Sequence, residues 1–579
     1  MIKPLQKQLK IFFVLVFLCP ALLLPACGGA AAAAEAATAA AAEPTVSVPV
    51  ESLQSLDTQD FFSARDMDPS YDAAAVSIRL TGRTALCSSD SVSVSGGQIT
   101  LLKEGVYLLS GTLEEGQILV DAGDSAKVQI VLNGAEITSS SAAAIYCKEA
   151  DKLFLTLAEG TENRLANGGS FVPVDDSNID AVIFSKADLT LNGEGNLTVD
   201  SPAGHGIVSK DELTITGGSY TLTAARQGFA GKDSVAIAGG NFTITAGTTG
   251  ILAKNDGDSD PASLYIAGGS FFIQAQQDGI HAGGTLQIDS GSFTLVTGGG
   301  SESAVMKTGN SMFRSGFDRF SGSGSSSDAT ENTASCKGIK AGGALTVNGG
   351  SFDLDTADDG LHSGADLTVT GGEFAIRTGD DAIHSDAALL IRTGSFTIPY
   401  CYEGLEGLSV TIDGGSLDIT ARDDGINAAG GTDGSGMAQG FGPQDPFAVS
   451  EDCSVTINGG SITIVSDGDC IDSNGSLTVN GGNLKLTCNG NGNTAIDVNG
   501  SFSNNGGSIS TNDGSESATG KQGGRGGMGG GKGGMGGERP TGGQKGGGRM
   551  MPEPGQQMPE DSQRRPEAAS PELEAGATV

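Results

Sequence analysis

Polar and apolar residues alternate along this chain in short runs, and glycines punctuate the runs. Ala344-Leu345-Thr346-Val347-Asn348 is followed by Gly349-Gly350 and then by Ser351-Phe352-Asp353-Leu354. Two-residue alternation with β-branched enrichment predicts half-buried strands, each with one inward face. No stretch of ten or more residues carries a 3.6-residue apolar period, so helices are not expected.

The runs repeat. Gly-Gly turns fall at Gly217-Gly218, Gly239-Gly240, Gly268-Gly269, Gly349-Gly350, Gly371-Gly372, Gly414-Gly415, Gly459-Gly460 and Gly481-Gly482, with single-glycine variants at Gly291 and Gly394. Neighbouring copies lie 21 or 22 residues apart where nothing is inserted. A unit this short cannot bury an apolar face alone, but stacked copies bury one continuous column. A propeller blade needs about 40 residues and a leucine-rich repeat needs its own signature, so neither fits. The expected fold is all-β, a right-handed single-stranded parallel β-helix of about 22 residues per coil over 61–510. Glycine- and serine-rich insertions interrupt it at 298–336 and 429–450, and 511–579 has the composition of a disordered Gly/Met/Pro-rich tail.

Composition narrows the partners. The chain has 579 residues, 92 of them glycine, no tryptophan and a formal charge of −36. Such an acidic surface repels phosphates, which argues against nucleic acid and for cations. At the N-terminus Lys3, Lys7 and Lys10 precede an apolar run from Ile11 to Leu24, the pattern of a signal peptide. It ends in Leu24-Pro25-Ala26-Cys27-Gly28, which resembles a lipoprotein lipobox. That resemblance implies removal of 1–26, lipidation of Cys27, an Ala-rich tether over 27–60 and attachment to the outer face of the cell membrane. The remaining cysteines number seven and show no zinc spacing, so neither a disulfide framework nor a zinc site is expected.

One position of the coil is acidic again and again. Asp359, Asp381, Glu403 and Asp424 are 22, 22 and 21 residues apart, and Asp469 follows 45 later, read as two coils with a loop. The local text is Asp358-Asp359-Gly360-Leu361-His362, Asp380-Asp381-Ala382-Ile383-His384 and Asp423-Asp424-Gly425-Ile426-Asn427, with shorter forms at Asp278-Gly279-Ile280-His281 and Asp469-Cys470-Ile471-Asp472. Carboxylates stacked about 4.8 Å apart repel by about 1 kcal/mol in water and about 3–4 kcal/mol at an effective dielectric of 20. A cation among them relieves this, and clustered hard oxygens suit Ca²⁺. The plainer alternative is a solvated acidic edge. His281, His362 and His384 share one slot, filled by Glu406, Asn427 and Asp472 in later coils. With no i,i+4 pair or cysteine beside them, a stacked polar ladder fits better than zinc.

A second row precedes the acids. Lys148, Lys186, Lys210, Lys232 and Lys254 each follow an equivalent strand residue (Ile145, Ile183, Ile207, Phe229, Ile251) by three, with Glu149, Asp211 and Asp233 among them. A salt-bridged solvent face is the plainer reading; a basic strip against an anionic polymer is the functional one.

Together, Gly105-Val-Tyr-Leu-Leu-Ser-Gly-Thr-Leu113, Gln129-Ile-Val-Leu-Asn-Gly134, Leu155-Thr-Leu-Ala-Glu-Gly-Thr-Glu-Asn163 and the repeated Asp-Asp-Gly-Ile-His/Asn resemble the clostridial-type carbohydrate-binding β-helix proteins over about 76–500. The resemblance implies a pectate-lyase-like β-helix that holds calcium on the Asp-Asp-Gly positions and binds acidic plant-type polysaccharide without cleaving it. Asp278 lacks the first acid of the pair and Glu403 departs from Asp. The expectation is therefore a monomeric, surface-anchored, calcium-dependent polysaccharide binder with no catalytic residue. A polysaccharide lyase is the alternative, needing an Arg or Lys base near calcium; Lys340, Arg377, Arg392 and Arg422 are the candidates, and with the three histidines they are also the candidates to touch glycan. A structural or adhesive stalk is the third reading.

Overall fold

The computed structural model describes residue 56 and residues 61–172, 178–255, 261–304, 334–428 and 449–518. The expected signal peptide, Cys27, nearly all of the tether, most of both insertions and the tail beyond 518 lie outside the described residues.

The described residues form an all-β solenoid in which each coil contributes three strands. One coil runs Ile339–Ala341, Leu345–Val347 and Ser351–Thr356; the next runs Leu361–Ser363, Leu367–Val369 and Glu373–Thr378. Each strand pairs in parallel with its counterpart, Ile339 with Leu361, Leu345 with Leu367 and Phe352 with Phe374. Antiparallel pairing is confined to the start, where Val76–Gly82 meets Ala85–Leu86 and Val92–Ser95 meets Gln98–Leu101. At the other end the fold continues past 510, with strand Ser508–Thr511 and a 3₁₀ turn at Ser515–Ala518.

The alternation read from sequence becomes the wall of this column. In Ser351–Thr356, Phe352, Leu354 and Thr356 point in while Ser351 and Asp353 point out. Because every coil repeats the pattern, identical side chains stack. Phe242, Phe271, Phe293, Phe352, Phe374 and Phe396 form a ladder with ring centroids 4.6–4.8 Å apart and planes within 3°. Such contacts contribute about 0.5–1.5 kcal/mol each beyond burial. The Gly-Gly turns make room for it: Gly350 has φ 121°, and a Cβ there would lie 3.0 Å from the Gly291 carbonyl and 3.1 Å from the Phe352 ring.

The insertions leave the register of the flanking coils intact. Ile280 pairs directly with Ile339, and Ile426 directly with Ile471. The 45 residues between Asp424 and Asp469 are thus one coil plus an insertion, not two coils as the spacing suggested; insertion length carries no mark in the sequence. The described cysteines are free thiols, with Cys147, Cys401, Cys453, Cys470 and Cys488 buried as small apolar residues.

A segment before the first coil straps several coils together. Leu56 donates its amide to Gln287 Oε1 (3.1 Å), Phe61 packs against Tyr265, and Asp66 accepts from Thr190 Oγ1 (2.6 Å) and pairs with Lys152 Nζ (2.9 Å).

Candidate functional site: a charged corner of the solenoid

The turn between the third strand of one coil and the first strand of the next carries the acids. Register makes them continuous. One row runs Asp278, Lys337, Asp359, Asp381, Glu403, Asp424 and Asp469, fixed by backbone hydrogen bonds such as Gly338 N to Asp359 O and Gly425 N to Asp469 O. Beside it, on the outer face of the first strand, stand His281, Lys340, His362, His384, Glu406, Asn427, Asp472 and Asp497. Asp358, Asp380 and Asp423 flank the first row one residue earlier in their turns.

In the first half of this corner the chain supplies its own cations. Lys337, 3% exposed in its side chain, places Nζ 2.9 Å from Asp358 Oδ1 and 2.7 Å from Asp359 Oδ2. Burial pushes the Asp359 carboxyl up, but Lys337, His362 and His384 outweigh it and hold it well below the usual range. His384 faces carboxylates from both ring nitrogens: Nδ1 lies 2.7 Å from Glu406 and 3.2 Å from Asp381, and Nε2 lies 3.1 Å from Asp386. Against ionised carboxylates at Glu406 and Asp386 both nitrogens donate, which is the arrangement of an imidazolium. Burial disfavours that charge, yet Asp381, Asp386 and Glu406 raise its pKa far above that of a free histidine. Asp278 is likewise served, by His281 Nδ1 at 3.1 Å and Ser335 Oγ at 2.6 Å.

Three triads bring ligand atoms within 4.8 Å of one another: Asp359, His362 and His384; Asp381, His384 and Glu406; Asp358, Asp359 and Asp380. The first two contain the imidazolium, and the third contains both carboxylates held by Lys337. Of the acids expected from sequence to need an external cation, Asp358 and Asp359 have the Lys337 ammonium beside them and Asp381 the His384 ring. Burial and then Glu403, Asp380 and Asp359 still push the Asp381 carboxyl well above the usual range. Its Oδ1 is buried and has no hydrogen-bond partner among the described residues.

Beyond His384 the balance reverses. Burial first, then neighbouring acids, push Glu403 up to about 8, Asp424 to about 9, Asp472 to about 7 and Asp469 to about 6. The charges acting most strongly on Asp424 are Asp472, Glu403, Asp423 and Asp469, all acids. Asn427 donates Nδ2 to Glu403 Oε2 at 2.8 Å, which leaves its Oδ1 buried and unpartnered among the described residues. Gly468 opens the turn here: a Cβ would lie 2.4 Å from Asp424 Oδ1 and 2.6 Å from Asp423 Oδ1. Hard oxygens, an orphaned carbonyl oxygen and a turn kept clear by glycine are the chemistry a Ca²⁺ ion takes; among the described residues, three acid or imidazole ligand atoms come within 4.8 Å of one another only at the triads above.

The candidate bases are dispersed. Lys340 belongs to the outer row and donates to Ser335 Oγ at 3.1 Å. Arg377 lies exposed on Glu373–Thr378, in register with Asp355. Arg422 donates to the Tyr400 hydroxyl at 3.2 Å and lies over that ring. Arg392 sits at a different corner, in register with Thr370 and Asp413, where Asn458 and Asn480 continue a hydrogen-bonded ladder. Sequence reading missed Lys337, Asp386 and Asp497. Aligning Lys337-Gly338-Ile339-Lys340 with Asp359-Gly360-Leu361-His362 exposes the first, and Ile496-Asp497 with Ile471-Asp472 the last.

Comparison with known proteins agrees with this repeat. The carbohydrate-binding domain-containing protein family matches residues 95–382 and 380–526. A carbohydrate-binding domain-containing protein of Acetivibrio thermocellus is 40% identical over 137 residues, which cover 23% of this chain and 48% of that relative. The chain thus spans about half the length of the curated relative it matches. A solved structure of a polysaccharide lyase-like protein from C. thermocellum, in a gadolinium derivative, is 36% identical, covers 39% of this chain and 92% of that one, and superposes with a TM-score of 0.38. The family match takes in most of the chain, and the protein belongs to the carbohydrate-binding domain-containing family.

Proposed function

We propose that this protein binds acidic polysaccharide at the cell surface through calcium held on its charged corner, on a solenoid that winds as a right-handed parallel β-helix. The calcium ligands are drawn from Glu403, Asp423, Asp424, Asn427, Asp469 and Asp472. The observation that carries this reading is the buried Asn427 Oδ1, unpartnered among the described residues, beside Glu403, Asp424, Asp469 and Asp472, whose carboxyls are pushed up by burial and neighbouring acids. Calcium there neutralises the row and leaves coordination positions for uronate carboxylates, turning a surface that repels polyanions into one that attracts them. Family membership supports a carbohydrate partner; the absence of tryptophan from the sequence disfavours flat stacking on neutral glycans. The lipobox-like Leu24–Cys27 supports a lipid anchor.

The test is calorimetry of the whole chain with Ca²⁺ and then with oligogalacturonate. Wild type should bind both in that order, and Asp424→Asn with Asp472→Asn should lose the calcium heat and the glycan heat that depends on it. No calcium heat, or heat indifferent to these changes, overturns the proposal. Absorbance of unsaturated uronate should stay flat throughout; a sustained rise would establish a lyase instead.

A further inference from the structure

The outer row that carries His281 to Asp497 begins differently. In register before His281 it reads Tyr146, Phe184, Val208, Ala230 and Leu252. Tyr146 and Phe184 are covered, packed with Ala143 and Ile179 in a small apolar cluster outside the main core. Val208, 4% exposed, belongs to the same cluster and Ala230 packs against it; both, with Leu252, line a groove of about 340 Å³.

Lysines form one wall of that groove. Lys210, Lys232 and Lys254 each stand at the end of a first strand, one per coil. Their backbones are locked in step, Lys232 N to Ser209 O and Lys254 N to Gly231 O, both 3.1 Å. The opposite wall holds Asp180 and Gln227. Asp180 is already engaged by His205 Nε2 at 3.4 Å and Arg226 Nη1 at 3.1 Å. Gln227 Oε1 is buried and meets no hydrogen-bond donor among the described residues.

We infer that this groove is a second saccharide site, taking a uronate-bearing oligosaccharide by direct contact and without calcium. The inference rests on the acidic-glycan reading above and adds a separate place for it. Ala230 and Leu252, backed by the buried Val208, offer an apolar floor to the C–H face of sugar rings. The three lysines stand one per coil, about 4.8 Å apart along the axis, with Lys210 Nζ 5.4 Å from the Phe184 ring centroid, and together they present positive charge to the carboxylates of an extended chain. A salt-bridged solvent face accounts for Lys232 beside Asp233 at 3.5 Å, but such exposed pairs contribute only about 0–1 kcal/mol. It accounts for neither the concavity nor the apolar floor. On a chain of net charge −36, a lysine-walled groove selects anions locally.

The experiment titrates the whole chain with galacturonate hexamer, once in EDTA and once in Ca²⁺, beside the fully methyl-esterified hexamer. In EDTA the wild type should bind the acid and not the ester. Lys210→Gln, Lys232→Gln and Lys254→Gln together should weaken this at least tenfold, while the corresponding three Lys→Arg changes should retain it. The Gln variant should keep its calcium heat, which reports an intact fold and charged corner. Binding only with Ca²⁺ overturns the groove and leaves the calcium reading standing. Binding in EDTA that ignores the Gln changes, or that takes the ester equally, also overturns the groove. No binding of the acid in either condition overturns both.

Discussion

Lys337 is the residue whose removal tests the electrostatic account most directly. Its ammonium is almost fully buried and contacts two carboxylates at 2.7 and 2.9 Å. At an effective dielectric of 20, each attraction is about 6 kcal/mol before the cost of desolvating the charges. Breaking a buried pair from one side leaves a net loss of about 3–5 kcal/mol. Lys337→Met keeps the apolar stem but removes the ammonium from Asp358 and Asp359, leaving Asp359 its 2.9 Å contact with His362 Nδ1 and the His384 charge. The damage should be local, because a solenoid coil communicates mainly with its neighbours. Amide exchange is the suitable readout: Gly338 N donates to Asp359 O and Gly360 N to Asp381 O, both at 2.9 Å. In EDTA these amides should exchange about 100- to 4,000-fold faster than in wild type, one decade per 1.4 kcal/mol.

Calcium should then reverse much of the loss. Without the ammonium, Asp358, Asp359 and Asp380 become a triad of oxygens within 4.8 Å, with the chemistry of a calcium site. Calcium at 100 times its dissociation constant restores about 2.7 kcal/mol. The variant should therefore bind more calcium than wild type and regain protection when it does. Unchanged exchange in EDTA, or a loss that calcium leaves untouched, would refute the view that Lys337 stands in for a metal ion.

Two further outcomes follow from the same geometry. Folded-state pKa values of about 6 to 9 at Asp469, Asp472, Glu403 and Asp424 lie above the unfolded carboxylate values. Their contribution is fully present below about pH 4 and is lost as pH rises through the folded values. Metal-free protein should accordingly lose exchange protection around these coils between pH 5 and pH 9 (about that window, corrected for intrinsic rates), and saturating calcium should flatten the loss; a flat profile in EDTA would contradict the crowding of acids. In the core, Phe293→Ala removes a ring stacked 4.8 Å from both Phe271 and Phe352 and should cost about 3–5 kcal/mol, read as increased exchange in those adjacent coils; protection unchanged there would show that the ladder does not carry the packing energy.

The sequence makes the coil legible because stacking demands repetition. Phe293, Phe352 and Phe374 recur since each must lie on the last, and the Gly-Gly turns recur since each makes way for the ring. The acidic row is visible for the same reason. What stayed hidden is whatever the period does not constrain. Asp469 seemed two coils from Asp424 because an inserted loop has no fixed length. Lys337 escaped notice because it lies at the edge of an insertion and reverses the sign of its row. The strap at Asp66 was invisible because its partners Lys152 and Thr190 are remote in sequence, and no local pattern encodes such a contact. Whether a carboxylate is already neutralised is likewise a property of neighbours one coil away.

The interior and exterior of this solenoid obey different rules. Inward positions must match from coil to coil, so the core stays nearly constant from Tyr220 to Phe396. Outward positions at one corner are free to vary, and they do so in order. They pass from a covered aromatic start at Tyr146 and Phe184, to an apolar floor beside lysines, to a stretch neutralised internally by Lys337 and His384, and to acids crowded together from Glu403 to Asp497. Random drift would scatter charge along the axis. Segregation by sign instead concentrates like charges, which raises their mutual repulsion and costs stability at the crowded end. That cost is recovered, on the proposed reading, when calcium occupies the acidic end, so the free energy stored in the crowding becomes affinity for the ion. On the proposed reading, a polyanion lying along this corner meets ammonium groups at one end and calcium at the other. The same backbone register thereby presents two ways of holding the same carboxylates.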